Sequence, residues 1–145
     1  MLVELPADKA KRTEALKAAT AVESEPARAA RITANAHALG VPHLDVVTGR
    51  APAALDGLRA PDAIFIGGGI TTEGLLDTCW EALTPGGRLV ANTVTLEGEL
   101  VVADARARWG GELTRIELAH AGAVGRYTAW RPQLPVVQLT TTKAP

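Results

Sequence analysis

The chain has 145 residues, enough for one domain with a real core, and its formal net charge of −1 argues against nucleic acid held by phosphate attraction. Hydrophobic residues make up 47 % and charged residues 21 %, the balance of a soluble globular protein, and no apolar run approaches the ~20 residues that span a bilayer. The start, MLVELPADKAKR, lacks the apolar centre of a secretory leader, and the single cysteine, Cys79, fits a reducing cytoplasm.

In chain order, Leu2 to Leu5 reads as a stub of strand and Ala7 to Ala19 as a charged helix. Thr20-Ala21-Val22 reads as a short strand ending at Glu23. From Glu25 to Leu39 the pattern is helical, with Ala29, Ile32, Ala36 and Leu39 on one face; Ser24 or Glu25 caps it, Pro26 suits its first turn, and Gly40 with Pro42 stops it. His43 to Thr48 is the next strand, followed by the turn Gly49-Arg50-Ala51-Pro52 and a short helix from Pro52 to Leu58.

The run Ala63-Ile64-Phe65-Ile66 then stops at Gly67, Gly68 and Gly69. A continuous apolar run predicts a strand covered on both faces, and glycines at its carboxyl end allow close approach of a ligand. A helix from Thr72 to Leu83 follows, with Cys79 among its leucines, where a buried structural role suits the thiol. Arg88 to Asn92 is a strand and Leu96 to Trp109 a helix ended by Gly110-Gly111. Two late strands, Glu112 to Leu118 and Val136 to Thr142, flank a less regular span and suggest an antiparallel hairpin at one edge.

Strands alternating with helices predict an α/β fold with a doubly wound, mostly parallel sheet. In such a sheet ligands bind at the carboxyl ends of the strands, where Glu23, the turn Gly49 to Pro52 and the run Gly67 to Gly69 all fall. An acid there accepts hydrogen bonds from ribose hydroxyls, and small residues leave room for a flat adenine. His37, His43 and His120 are widely spaced and show no metal-ligand pattern, so no metal is expected.

The segments AVESEPARAARITANAHALGVPHLDVVTGRAPAAL, PDAIFIGGG, LTPGGRLVANTVTLE and GAVGRYTAWRPQLPVVQLTT resemble the S-adenosylmethionine-dependent methyltransferases of corrin biosynthesis, in particular their C15-methylating, decarboxylating domain. The resemblance covers Thr20 to Lys143. It implies S-adenosylmethionine as cosubstrate, no metal, and an acidic tetrapyrrole as substrate. It further implies a cosubstrate site of Glu23, Gly49, Ala51, Pro52, Gly67 and Gly68, and a substrate side of Gly69, Asn92, Thr93, Arg126 and Arg131, the arginines pairing with carboxylates. Self-association is implied by stand-alone relatives, as is a C5-methylating partner, either an N-terminal domain or a separate chain. No side chain is singled out for the decarboxylation.

One departure is plain. The family carries a glycine-rich loop after its first strand, whereas this chain has no glycine before Gly40. The expectation is therefore one methyltransferase-like domain over residues 1–145 whose first 19 residues are truncated or divergent, with cosubstrate binding weakened. A non-catalytic α/β module that pairs with another chain is the competing reading. A nicotinamide-dependent oxidoreductase ranks last, because it needs a G-x-G-x-x-G loop that is absent.

Overall fold

A computed structural model describes residues 19–145. The Leu2–Leu5 strand and nearly all of the Ala7–Ala19 helix lie outside them. The chain divides into two compact units, one up to Leu58 and one from Arg59 onward, each described by itself.

In the first unit, strand β1 (Thr20–Glu23) pairs in parallel with β2 (Asp45–Thr48), so that Thr20 lies opposite Asp45 and Glu23 opposite Thr48. Parallel neighbours need a crossover, which helix α1 (Pro26–Ala38) supplies. Its start is set by Glu25, whose side chain accepts from the Ala27 N–H, and by Pro26 in the first turn. Ala29 and Ala36 form its buried stripe, and Gly40, at φ +75°, turns the chain out. The helix expected over Pro52–Leu58 is only a 3₁₀ turn, Ala53–Leu55. Asp56 is extended and Gly57 has φ +76°, which together end it.

The second unit is built on β3 (Ala63–Ile66), β4 (Arg88–Thr93), β5 (Glu112–Ile116) and β8 (Val136–Thr142), in the order β3-β4-β8-β5. β3 and β4 are parallel, whereas β8 runs antiparallel to both β4 and β5. The expected late pairing is present, but the later strand lies inside and β5 takes the edge. The span between them holds a second hairpin, β6 (Ala119–Val124) and β7 (Tyr127–Pro132), turning at Gly125 with φ +57°. The α/β architecture is thus parallel at β1–β2 and β3–β4, with antiparallel strands added beyond β4 in the second unit.

Helices α2 (Leu75–Ala82) and α3 (Leu96–Trp109) follow β3 and β4. α2 begins later than the apolar spacing predicts because Gly74, at φ +74°, occupies its cap in the left-handed region. Leu89 and Ala91 of β4, Leu139 of β8, and Val102 and Ala105 of α3 are fully buried and form the core. The other face of the sheet differs from expectation: β3 is not covered on both sides among the described residues, and Phe65 is 65 % exposed. α2 and α3 are joined by the Trp80–Trp109 stack, with centroids 4.3 Å apart, and by Arg108 bound to Asp77 at 2.8 Å. Among the described residues no helix is long and apolar enough to cross a membrane.

Lys143, just beyond β8, closes the carboxyl end of α2. Its ammonium donates to the carbonyls of Trp80, Glu81 and Leu83 at 2.8–2.9 Å, satisfying acceptors that a helix end leaves orphaned. Replacing Lys143→Met removes all three bonds, and we expect a loss of about 1–2 kcal/mol, measured by chemical denaturation, with partial recovery in Lys143→Arg.

Candidate functional site

Glu23 closes β1, and its carboxylate is held by its own neighbourhood. Oε1 accepts from Arg28 Nη2 at 2.8 Å, from the Glu25 N–H at 2.8 Å and from Ser24 Oγ at 3.4 Å. The Arg28 guanidinium, followed by the Glu25 amide, holds the carboxyl at about 2, below its ordinary 4.5. It is an anionic acceptor at any physiological pH, with Oε2 carrying no partner among the described residues. No local spacing signals this Arg28 partner, which only the strand-to-helix turn brings round.

The small-residue turn lies beside this acid. The Gly49 N–H donates to the Glu23 carbonyl at 2.9 Å, and a side chain at Gly49 would meet Ala54 Cβ at 2.8 Å. Glycine there lets the 3₁₀ turn fold back over the strand end, carrying Ala51 and Pro52 with it. The first unit therefore brings Glu23, Gly49, Ala51 and Pro52 to one rim.

In the second unit, Gly67, Gly68 and Gly69 are all exposed at the end of β3. Their roles differ. A side chain at Gly67 would meet the Phe65 ring at 2.9 Å, and Gly69 sits at φ +73° to form a turn in which the Thr72 N–H donates to its carbonyl. At Gly68 an added Cβ would meet nothing within 4 Å. Neither packing nor a left-handed conformation calls for glycine at Gly68, which leaves open room at the end of β3.

Asn92 and Thr93 end β4 on opposite faces, as successive strand residues must. Thr93 is buried against Gly98 of α3, and its hydroxyl accepts from the Thr95 N–H at 3.3 Å. Its work is to seat the start of α3. Asn92 faces the other way and is only half-buried, with Gln138 of β8 directly opposite. Gln138, which local sequence pattern did not single out, donates to Asn92 Oδ1 at 2.9 Å.

Arg126 and Arg131 belong to the β6–β7 ribbon. Arg126 donates to the Tyr127 hydroxyl at 2.6 Å and lies over its ring, while Arg131 donates to the Ala123 carbonyl and crosses Gly122. Both spend hydrogen bonds within the ribbon, whose Trp130 is 74 % exposed. Cys79 is buried, and desolvation pushes its thiol up. A groove of about 380 Å³ between α2 and α3, lined by Ile70, Leu76, Leu100 and Asp104, lies on the face opposite Asn92.

Parallel strands joined by helices, with antiparallel strands added beside them, place the chain among Rossmann-like α/β folds. The profile described as precorrin methyltransferase domain matches residues 9–143. The chain belongs to that family. It is 55 % identical over 125 residues to a precorrin-6Y C(5,15)-methyltransferase [decarboxylating] from Sinorhizobium sp., covering 86 % of this chain and 30 % of that protein. A precorrin-6Y C5,15-methyltransferase targeted domain from Corynebacterium diphtheriae superposes with a TM-score of 0.83 at 40 % identity, covering 91 % of this chain and 82 % of that one. The C-terminal domain of the Rhodobacter capsulatus enzyme gives 0.80 at 41 % identity, covering 86 % and 67 %. The chain thus spans about a third of the length of the curated relatives it matches.

The Glu23–Arg28 pair carries a pH signature. With the folded value near 2 and the ordinary value 4.5, its contribution to stability is complete above 4.5 and is lost as pH falls toward 2. We expect Arg28→Met to raise the Glu23 midpoint toward 4.5, followed by carboxyl-carbon NMR titration, and to move the onset of acid unfolding to higher pH.

Proposed function

We propose that the chain is the C15-methylating, decarboxylating domain of a corrin-pathway methyltransferase, transferring a methyl group from S-adenosylmethionine to an acidic tetrapyrrole. The family match over residues 9–143 carries this reading. The residues present suit the donor. In the first unit the ionised Glu23 offers Oε2 to ribose hydroxyls, and Ala51 and Pro52 leave a flat space for adenine. In the second, Gly67 and Gly68 offer bare backbone to the reacting end, and Gly69 and Asn92 face the substrate. Thr93 supports this rim from beneath rather than touching it.

The donor supplies an electrophilic sulfonium methyl, so the protein's task is alignment rather than proton transfer. Among the described residues no nucleophile–base pair lies at these strand ends, which suits that task. Arg126 and Arg131, if released from their bonds in the ribbon, are the cations suited to substrate carboxylates. A C5-methylating partner, as a further domain or a separate chain, and self-association complete the proposal, as does a cytoplasmic location. No metal takes part in this reading.

Titration calorimetry with S-adenosylhomocysteine tests it. Saturable binding is expected, weakened roughly 10-fold by Glu23→Gln through loss of a charged acceptor. Gly68→Ala is expected to leave the melting temperature unchanged while lowering affinity, because the added methyl meets no protein atom. Absence of heat at millimolar ligand would overturn the proposal in favour of a non-catalytic module.

A further inference from the structure

Asn92 and Gln138 lie opposite each other on the sheet face turned away from α3. Gln138 is 7 % exposed, on a strand that has neighbours on both sides. A buried primary amide is a costly occupant of such a position; an aliphatic side chain of similar volume would fill it without losing hydration. What the amide adds is orientation. Its N–H donates to Asn92 Oδ1 at 2.9 Å, which engages the acceptor of Asn92 and leaves its Nδ2 donor for another partner. Among the described residues that donor has no partner.

The position of the pair gives the orientation its use. Ile66 of β3 stands beside Ala91 of β4, so Asn92, one residue on, is level with Gly67 at the glycine rim. Gln138 enters from the sheet interior and Asn92 is only half-buried, so the clamp is protected and the donor is accessible.

We propose that Gln138 is a positioning residue, locking Asn92 as a hydrogen-bond donor toward a carboxylate or carbonyl oxygen of the substrate taken at the Gly67–Gly69 rim. The substrate class rests on the function proposed above. Asn92 makes the contact, and Gln138 acts through it by removing the rotamer in which the amide oxygen would face an anionic ligand.

The test uses uroporphyrin, a tetrapyrrole octacarboxylate, as probe, with binding followed by quenching of its fluorescence in the full chain. Gln138→Glu can only accept, so Asn92 must turn its Nδ2 inward and present oxygen; we expect uroporphyrin affinity to fall about 10-fold, with S-adenosylhomocysteine affinity unchanged. Asn92→Asp keeps the bond from Gln138 but removes the outward donor, and a similar loss is expected without loss of melting temperature. This second variant decides the matter should Gln138→Glu fold poorly. Wild-type protein that binds uroporphyrin, with both folded variants within twofold of it, overturns the clamp alone. Wild-type protein that binds S-adenosylhomocysteine but not uroporphyrin overturns the substrate class and the clamp with it.

Discussion

The second unit depends on a single insertion, the antiparallel entry of Val136–Thr142 between Arg88–Thr93 and Glu112–Ile116. Leu139 sits at its centre, fully buried, opposite Ala91 on one side and Leu113 on the other. Without it, β4 and β5 would each lose a hydrogen-bonded neighbour. The same insertion brings Gln138 to Asn92 and Lys143 to the end of α2. Core, site geometry and helix closure are therefore fixed together, by one register.

The two faces of that sheet do different work. On the α3 side, Leu89, Ala91 and Thr93 alternate into a dry layer, and Gly98 lets the helix come close enough to touch Thr93. On the other side, Asn92, Gln138 and Thr140 make a polar row running toward the open glycines. A strand whose alternate residues serve packing and recognition can hold a polar contact rigidly, because moving it would disturb the buried layer.

Much of this was legible in the residues. α1 carried a clear apolar spacing and caps, and α3 a clear glycine stop at Gly110-Gly111, so their limits fall within a residue of expectation, and β8 was read at its full extent. What escaped had non-local causes. The β6–β7 ribbon is almost wholly exposed and poor in β-branched residues, so no alternation marked it; the Gly125-Arg126 pair was the one available signal, a two-residue turn with glycine first. The short helix after Pro52 failed at Gly57, whose positive φ no periodicity reveals. Glu23, Gly49 and the triple glycine could be singled out in the sequence because acids and glycines at strand ends have local meaning. Gln138 was not, since its role exists only once two strands far apart in sequence are in register.

That late-arriving strand also bears on how the protein is born. During synthesis, the parallel β3–β4 pair and its two helices leave the ribosome well before Val136–Thr142 exists, and β4 must wait with one row of backbone N–H and C=O groups unpaired by a strand. The sheet of this unit is accordingly completed only once the whole span from Arg88 to Thr142 has been made.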